Sequence, residues 1–200
     1  MRLFDRVHDG YVHRRRTDVL AGRLAELLPR DASVLDVGTG DGLIARKVLD
    51  RRPDLALRAV EVLVRPDQHV PVEAFDGRTL PYADGSFDTV MLVDVLHHDD
   101  DPAALLAEAQ RVSRGIVVLK DVMAEGLLSG ETLHLMERLA NTAHGISIPD
   151  TFWSRSEWDA TFSRLGLAVE SWNGRLGLYP FPASLVFERR FHFLARLRSA

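Results

Sequence analysis

Val34-Leu35-Asp36-Val37-Gly38-Thr39-Gly40-Asp41-Gly42 runs from a short apolar strand into three glycines at alternate positions. Directly after it, Leu43, Ile44, Val48 and Leu49 recur at helical spacing and mark a helix over Asp41 to Arg51, which Pro53 ends. A strand that breaks into a glycine turn and reopens as a helix is the first step of a parallel α/β sheet. In such sheets ligands bind at the carboxyl ends of the strands, and glycine lets the backbone approach a ligand closely. A dinucleotide fingerprint would place its third glycine at position 43. Leu43 stands there and Gly42 comes one residue early, which disfavours a pyrophosphate cradle.

Outward from this turn, strands and helices alternate, the signature of a parallel sheet with helices on both faces. Upstream, Val19, Leu20, Leu24, Leu27 and Leu28 form one apolar stripe over Arg14 to Leu28, closed by Pro29. Downstream, strands are expected over Leu55 to Val62, Val70 to Phe75, Phe87 to Val93 and Gly115 to Leu119. A helix that starts at Pro102 separates the last two. Only Val62 to His69, with Pro66 and Asp67 between them, connect the second and third strands, so a loop is expected in place of a crossover helix. The alternation then changes. An amphipathic helix over Leu127 to Ala140 leads to no parallel strand, a further helix spans Glu157 to Leu165, and strands over Leu167 to Trp172 and Leu185 to Phe193 can pair antiparallel at one edge.

Composition narrows the classes of function. The 200 residues suit one domain, and 46% hydrophobic with 27% charged residues are ordinary globular values. No apolar run reaches the 18 residues of a membrane span, and the N-terminus lacks an apolar leader stretch, so a cytoplasmic protein is expected. With no cysteine, disulfides, thiolate nucleophiles, cysteine-bound zinc and iron–sulfur clusters are excluded. A formal net charge of -4 gives no global attraction for nucleic acid, despite the local run Arg14-Arg15-Arg16.

The glycine turn resembles the first motif of class I S-adenosylmethionine-dependent methyltransferases, and the likeness extends over roughly Ala32 to Asp121. Glu61 ends the second strand, Asp76-Gly77 follows the third, and Asp84-Gly85-Ser86-Phe87-Asp88 is similar to the family's approach to its fourth strand. The pattern looks most like the small-molecule branch that includes quinone-biosynthesis enzymes. The resemblance implies a Rossmann-like α/β fold, a seven-stranded mostly parallel sheet with an antiparallel edge strand. It divides the chain into an N-terminal helix and lid (1–30), a cofactor-binding core (31–121), a helical insertion for the acceptor (122–160) and a C-terminal helix end with edge strands (161–200). It implies S-adenosylmethionine as cofactor and S-adenosylhomocysteine as product. Asp36, Gly38, Thr39 and Gly40 would surround the methionine half, Glu61 would hold the ribose hydroxyls, and Asp76 with Gly77 would meet the adenine. Asp94 and Tyr11 complete the expected cofactor set.

Methyl transfer from a sulfonium is an in-line displacement, so alignment is the protein's main task and can lower the barrier by roughly 7 to 11 kcal/mol. A base is needed only where the acceptor must lose a proton. His97, in Val93-Asp94-Val95-Leu96-His97-His98-Asp99 after the fourth strand, is the candidate base or acceptor-binding group; the alternative is a histidine that packs under the cofactor. Asp121 ends the fifth strand and joins it as a catalytic candidate, lining the acceptor pocket or forming an ion pair. No metal is assigned, although Asp94, Asp121 and Asn141 could together hold magnesium. An acceptor pocket would draw on Met123, His134, Met136, Asn141, His144, Trp153 and Trp158, which suit a small, mainly apolar molecule with a few polar anchors, and the resemblance implies its methylation on oxygen or carbon. The sequence is compatible with a homo-oligomer. Competing readings are an aminopropyl-type transferase on the same fold and a non-catalytic protein that binds S-adenosylmethionine.

Overall fold

The computed structural model describes residues 2–124, 152–179, 181 and 191–199, with side chains from residue 14 onward. Helix α1 spans Arg2–Leu27, twelve residues earlier in its start than the apolar stripe alone suggests, so the segment expected as a lid is itself helical. Strand β1 (Ser33–Val37) leads through the glycine turn to α2 (Leu43–Arg51) and β2 (Ala56–Glu61). Strand β3 (Val72–Ala74) follows the expected loop, with no helix between it and β2. Then come β4 (Phe87–Val93), a single 3₁₀ turn (Leu96–His98) and α3 (Pro102–Val112), where Asp101 caps the first turn by accepting from the Ala104 N–H. Strand β5 spans Ser113–Val122, three residues longer at its carboxyl end than the β-branched run. After the undescribed stretch, α4 (Arg155–Arg164) opens on a capping box between Ser154 and Glu157 and leads to β6 (Leu167–Asn173) and β7 (His192–Ser199). The helix expected over Leu127 to Ala140 lies outside the described residues.

One seven-stranded sheet has the order β3-β2-β1-β4-β5-β7-β6. Five strands are mutually parallel, while β7 runs antiparallel to both of its neighbours, β5 and β6. Leu20, Ala21 and Leu24 of α1 and Val48 of α2 pack on Val34, Met91 and Val118 from one face. Leu105, Leu106 and Ala109 of α3, with Trp158 and Phe162 of α4, pack on Leu35, Val90 and Val117 from the other. Coverage on both faces is why the central strands read as continuous apolar runs. Among the described residues no helix is long and apolar enough to cross a membrane.

Of the strand expected over Leu185 to Phe193, residues 185–190 lie outside the described residues; the described ladder runs from His192 to Ser199, six residues beyond the expected end. Phe193, Leu194, Ala195 and Leu197 are all buried, because β7 lies inside the sheet and not at its edge. Arg196 and Arg198 both donate to Glu170 on β6, and Arg196 also donates to the Leu27 carbonyl, so the basic residues of this strand are paired across the sheet.

At the amino ends of the strands, Asp88 ties β4 to β1 and β5, accepting from the Ser33 N–H at 2.8 Å, the Ser33 hydroxyl at 2.6 Å and Arg114 at 2.8 Å. The Ser33 hydroxyl holds the Asp88 carboxyl down to about 2, helped by the Ser33 N–H and Arg114. A lowered acid pKa adds stability above the ordinary value of 3.8 that is lost as pH falls toward about 2. Asp88→Asn should therefore cost about 1 kcal/mol at neutral pH, the small size reflecting solvent screening. In urea melts, the gap to wild type should close over that acidic window.

Candidate functional site

The glycine turn is a direct continuation of the ladder between β1 and β2. The N–H groups of Gly38 and Thr39 both donate to the Val60 carbonyl, at 2.9 and 3.2 Å. Gly38, Gly40 and Gly42 all have positive φ, at 71°, 64° and 76°. Their reasons differ. A Cβ on Gly38 would lie 2.5 Å from the Val95 side chain, and one on Gly42 would lie 2.6 Å from Val70. A Cβ on Gly40 would meet nothing within 4 Å among the described residues. The outer glycines permit close packing; the middle one stands against open space. Its N–H donates to Glu61 Oε2 at 2.7 Å, while Glu61 Oε1 accepts from Val62 at 2.8 Å, so this carboxylate fastens the turn to the end of β2.

That open space is a cavity of about 960 Å³ at the carboxyl ends of the strands, walled by Gly38, Gly40, Glu61, Phe75 and Asp94. The loop that replaces a crossover helix supplies one side of it, and Val62, Leu63 and Val64 stand there 49%, 64% and 41% exposed. The His69 N–H donates to the Asp41 carbonyl at 2.8 Å and holds the loop beside the turn. Asp36 is buried below. Its Oδ2 accepts from the Thr39 hydroxyl at 2.6 Å, and its Oδ1 has no hydrogen-bond partner among the described residues. Burial, against the Thr39 bond and with the Glu61 charge, raises the Asp36 carboxyl to about 7. Asp76 is exposed and caps its own turn, accepting from the N–H groups of Arg78 and Thr79 at 2.8 and 2.7 Å. Those bonds hold it below its usual value, and Phe75 and Gly77 on either side line the cavity.

At the ends of β4 and β5 the charges pair. Asp94 adopts a left-handed φ of 56° and accepts from Arg16 of α1 at 2.8 Å and from the buried Lys120 ammonium. Burial alone would raise its carboxyl, but the Lys120 and Arg16 charges hold it well below the carboxylate range. Asp121, fully buried, accepts from the N–H groups of Leu96 at 3.0 Å and Val122 at 2.7 Å. His97 Nδ1 lies 2.5 Å from Asp121 Oδ1; a carboxylate oxygen only accepts, so this ring nitrogen donates. His97 is 2% exposed, stacked near Phe152, and its neighbour His98 is the histidine that lines the cavity. One ligand atom each from Asp94, His97 and Asp121 fall within 4.8 Å of one another. The Lys120 ammonium and the Arg16 guanidinium already balance Asp94, so a divalent cation would have to displace fixed charges.

Residues 11–171 match the family model described as a methyltransferase domain. Over 166 residues, 76% of this chain and 57% of the relative, it is 30% identical to a dimethylglycine N-methyltransferase of Parasynechococcus marenigrum (strain WH8102). Over 176 residues, 78% of this chain and 61% of the relative, it is 30% identical to a 27-O-demethylrifamycin SV methyltransferase of Amycolatopsis mediterranei (strain S699). The chain belongs to the class I S-adenosylmethionine-dependent methyltransferases. It spans about three-fifths of the length of those two relatives. In fold it is similar to a solved methyltransferase from Aquifex aeolicus, with a TM-score of 0.63, 17% identity, and coverage of 92% of this chain and 93% of that one.

The residues of this methyltransferase fit the family's cofactor. Open space beside Gly40, a carboxylate at the wall in Glu61 and an unsatisfied buried oxygen on Asp36 are features a ligand with hydroxyl and cationic groups would complete. The expected residues divide accordingly. Gly38, Gly40, Glu61, Gly77 and Asp94 line the cavity, Asp36 and Thr39 support it from beneath, and Asp76 braces its rim. Tyr11 lies on α1 with its side chain outside the described residues, and His134, Met136, Asn141 and His144 lie wholly outside them. Met123 and Trp158 are core residues, and Trp153 packs edge-on against Trp158. Sequence reasoning missed Val62, Leu63, Val64, Phe75, Val95 and His98. The signal was present for the first three, since an apolar run in a loop too short for a helix has no core to enter.

Gly40→Val should lose cofactor binding by about tenfold or more while melting within a few degrees of wild type, the left-handed backbone costing about 1–2 kcal/mol. Gly38→Val should instead lower the melting temperature much further, through its collision with Val95. Paired thermal melts and S-adenosylhomocysteine titrations separate the two outcomes. Asp36 gives a second expectation. Because its folded pKa is raised, wild type should lose stability relative to Asp36→Asn as pH climbs from about 4 to about 7. Parallel melts with the same slope for both proteins would contradict this.

Proposed function

We propose that this protein transfers the methyl group of S-adenosylmethionine to a small, largely apolar acceptor, at oxygen or carbon, by in-line displacement. The observation that carries the reading is the cavity beside Gly40, open to a ligand on one side and bordered by the Glu61 carboxylate and the Asp94 corner. The cofactor supplies a methyl group already activated on a positively charged sulfur. Glu61 would accept from the cofactor's ribose hydroxyls, chiefly through Oε2, which among backbone groups accepts from Gly40 alone while Oε1 accepts from Val62 and Leu63. Val62, Leu63 and Phe75 would cover a flat apolar ring, and Asp36 would supply the unsatisfied oxygen near the turn.

The protein's remaining task is to present the acceptor. His97 is held by Asp121 through Nδ1, which leaves the proton-accepting role to Nε2, and a carboxylate so placed stabilises the ring once it is protonated. This arrangement serves acceptors that must lose a proton; others need only the alignment. The names of both sequence relatives specify small molecules, which supports an acceptor of that class. The burial of His97 favours a second reading, a protein that binds the cofactor without turning it over.

Calorimetry should show micromolar binding of S-adenosylmethionine and S-adenosylhomocysteine and none of NAD. Labelled methyl incorporation into small-molecule extracts should then reveal an acceptor. His97→Ala should cut that incorporation by about 10²-fold or more with cofactor affinity kept. Binding without incorporation into any extract would favour the non-catalytic reading, and binding of NAD alone would overturn both.

A further inference from the structure

We propose that Lys120 is a positioning residue for the donor site: its ammonium clamps Asp94 in the left-handed corner that lines the cavity beside the glycine turn. The proposal rests on the reading of this cavity as the cofactor's and adds a residue that touches no ligand.

Lys120 sits near the carboxyl end of β5 with its side chain fully enclosed. A buried ammonium is costly unless it is paired and hydrogen-bonded, and a well-packed apolar side chain would usually serve stability as well or better. Val118, two residues earlier and so on the same face of the strand, is buried in an apolar cluster, which shows that this face accepts apolar residues. The charge therefore calls for a reason beyond packing. Its partners supply one. The ammonium donates to Asp94 and lies 3.3 Å from His192 Nδ1, and the Lys120 carbonyl accepts the Asp94 N–H at 2.8 Å. One residue thus holds both the main chain and the carboxylate of Asp94. His192 is buried, and burial together with the Lys120 charge keeps its imidazole neutral, so Nδ1 can accept from the ammonium. Burial presses the Lys120 pKa down while Asp94 pulls it back.

The clamped residue has an unusual backbone. Asp94 and Asp31 are the non-glycine residues with positive φ among those described, and Asp94 is the one at the cavity. Such a conformation costs of order 1–3 kcal/mol and persists where its surroundings over-determine it. The corner aims the next residues. Val95 is delivered against Gly38, so closely that a Cβ there would collide with it, and the Leu96 N–H is delivered to Asp121, which in turn holds His97. Arg16 binds the second oxygen of Asp94 and ties α1 to the same point. Without the ammonium, Asp94 would keep a single cationic partner that is itself one-third exposed, and the corner could relax toward an ordinary conformation.

S-adenosylhomocysteine titrations of wild type, Lys120→Met, Asp94→Asn and the double variant test this, with far-ultraviolet circular dichroism as a check on folding. Lys120→Met should bind about tenfold or more weakly, the scale of one lost charge-assisted hydrogen bond. If Lys120 acts through Asp94, the double variant should bind no more weakly than Asp94→Asn alone. Wild-type affinity in Lys120→Met, or losses that multiply in the double variant, would overturn the proposal. Should Lys120→Met fail to fold, Asp94→Asn decides, and unchanged affinity in it has the same consequence. Failure of wild type to bind would instead sink the reading of the cavity and leave no donor site for Lys120 to position.

Discussion

The Val60 carbonyl accepts two N–H groups, from Gly38 and Thr39, and the site is arranged around that junction. Parallel pairing of β1 with β2 ends there, and the chain must leave the sheet without breaking contact with it. Left-handed glycines make the departure possible at low cost. The same junction then orders what lies around it. Glu61, next after Val60, reaches back to the Gly40 N–H, so the last residue of β2 and the middle of the turn are fixed to each other before any ligand arrives. A donor site built this way is preorganised by main-chain bonds, and the energy of ligand binding need not be spent on ordering a loop.

A second constraint is charge. Within the ends of β4, β5 and β7 the sheet buries Lys120, Asp121 and His192, with Asp94 half-buried beside them. In an apolar interior each needs a partner, and the pairing divides into two sets that meet at the 3₁₀ turn. Lys120, Arg16 and His192 surround Asp94. Two backbone N–H groups and His97 surround Asp121. The Lys120 and Arg16 charges, acting against burial, hold the Asp94 carboxyl well below the carboxylate range.

Much of this was legible in the residues. The turn, the position of Glu61 and the missing crossover helix all follow from glycine spacing and from counting residues between strands, and strands β1 and β4 have the expected bounds. What escaped the sequence has one physical cause: pairing across distant strands. Nothing local announces that Arg196 and Arg198 will pair with Glu170, 26 and 28 positions away. His97 looks like a cavity residue because nothing local announces that Asp121, 24 positions on, will take its ring. Asp76 has the opposite history. Expected to meet the adenine, it stands exposed between two cavity residues, Phe75 and Gly77, with its carboxylate engaged by its own turn, an Asx-type bond that the sequence Asp76-Gly77-Arg78-Thr79 allows but does not require.

The short loop after β2 links these threads. A crossover helix in that position would bury an apolar stripe against the sheet and leave the cavity walled by helix. Here eight residues cannot form one that packs, and Val62, Leu63 and Val64 are left exposed along the cavity margin. Exposed apolar side chains on three consecutive residues are expensive to keep in water unless something covers them part of the time. A flat apolar ring placed between them and Phe75 would do so, and the gain would fall on binding alone because the fold does not use these residues. The loop that shortens the chain thus moves apolar area from the core, where it would stabilise the empty protein, to the cavity, where it stabilises only the occupied one.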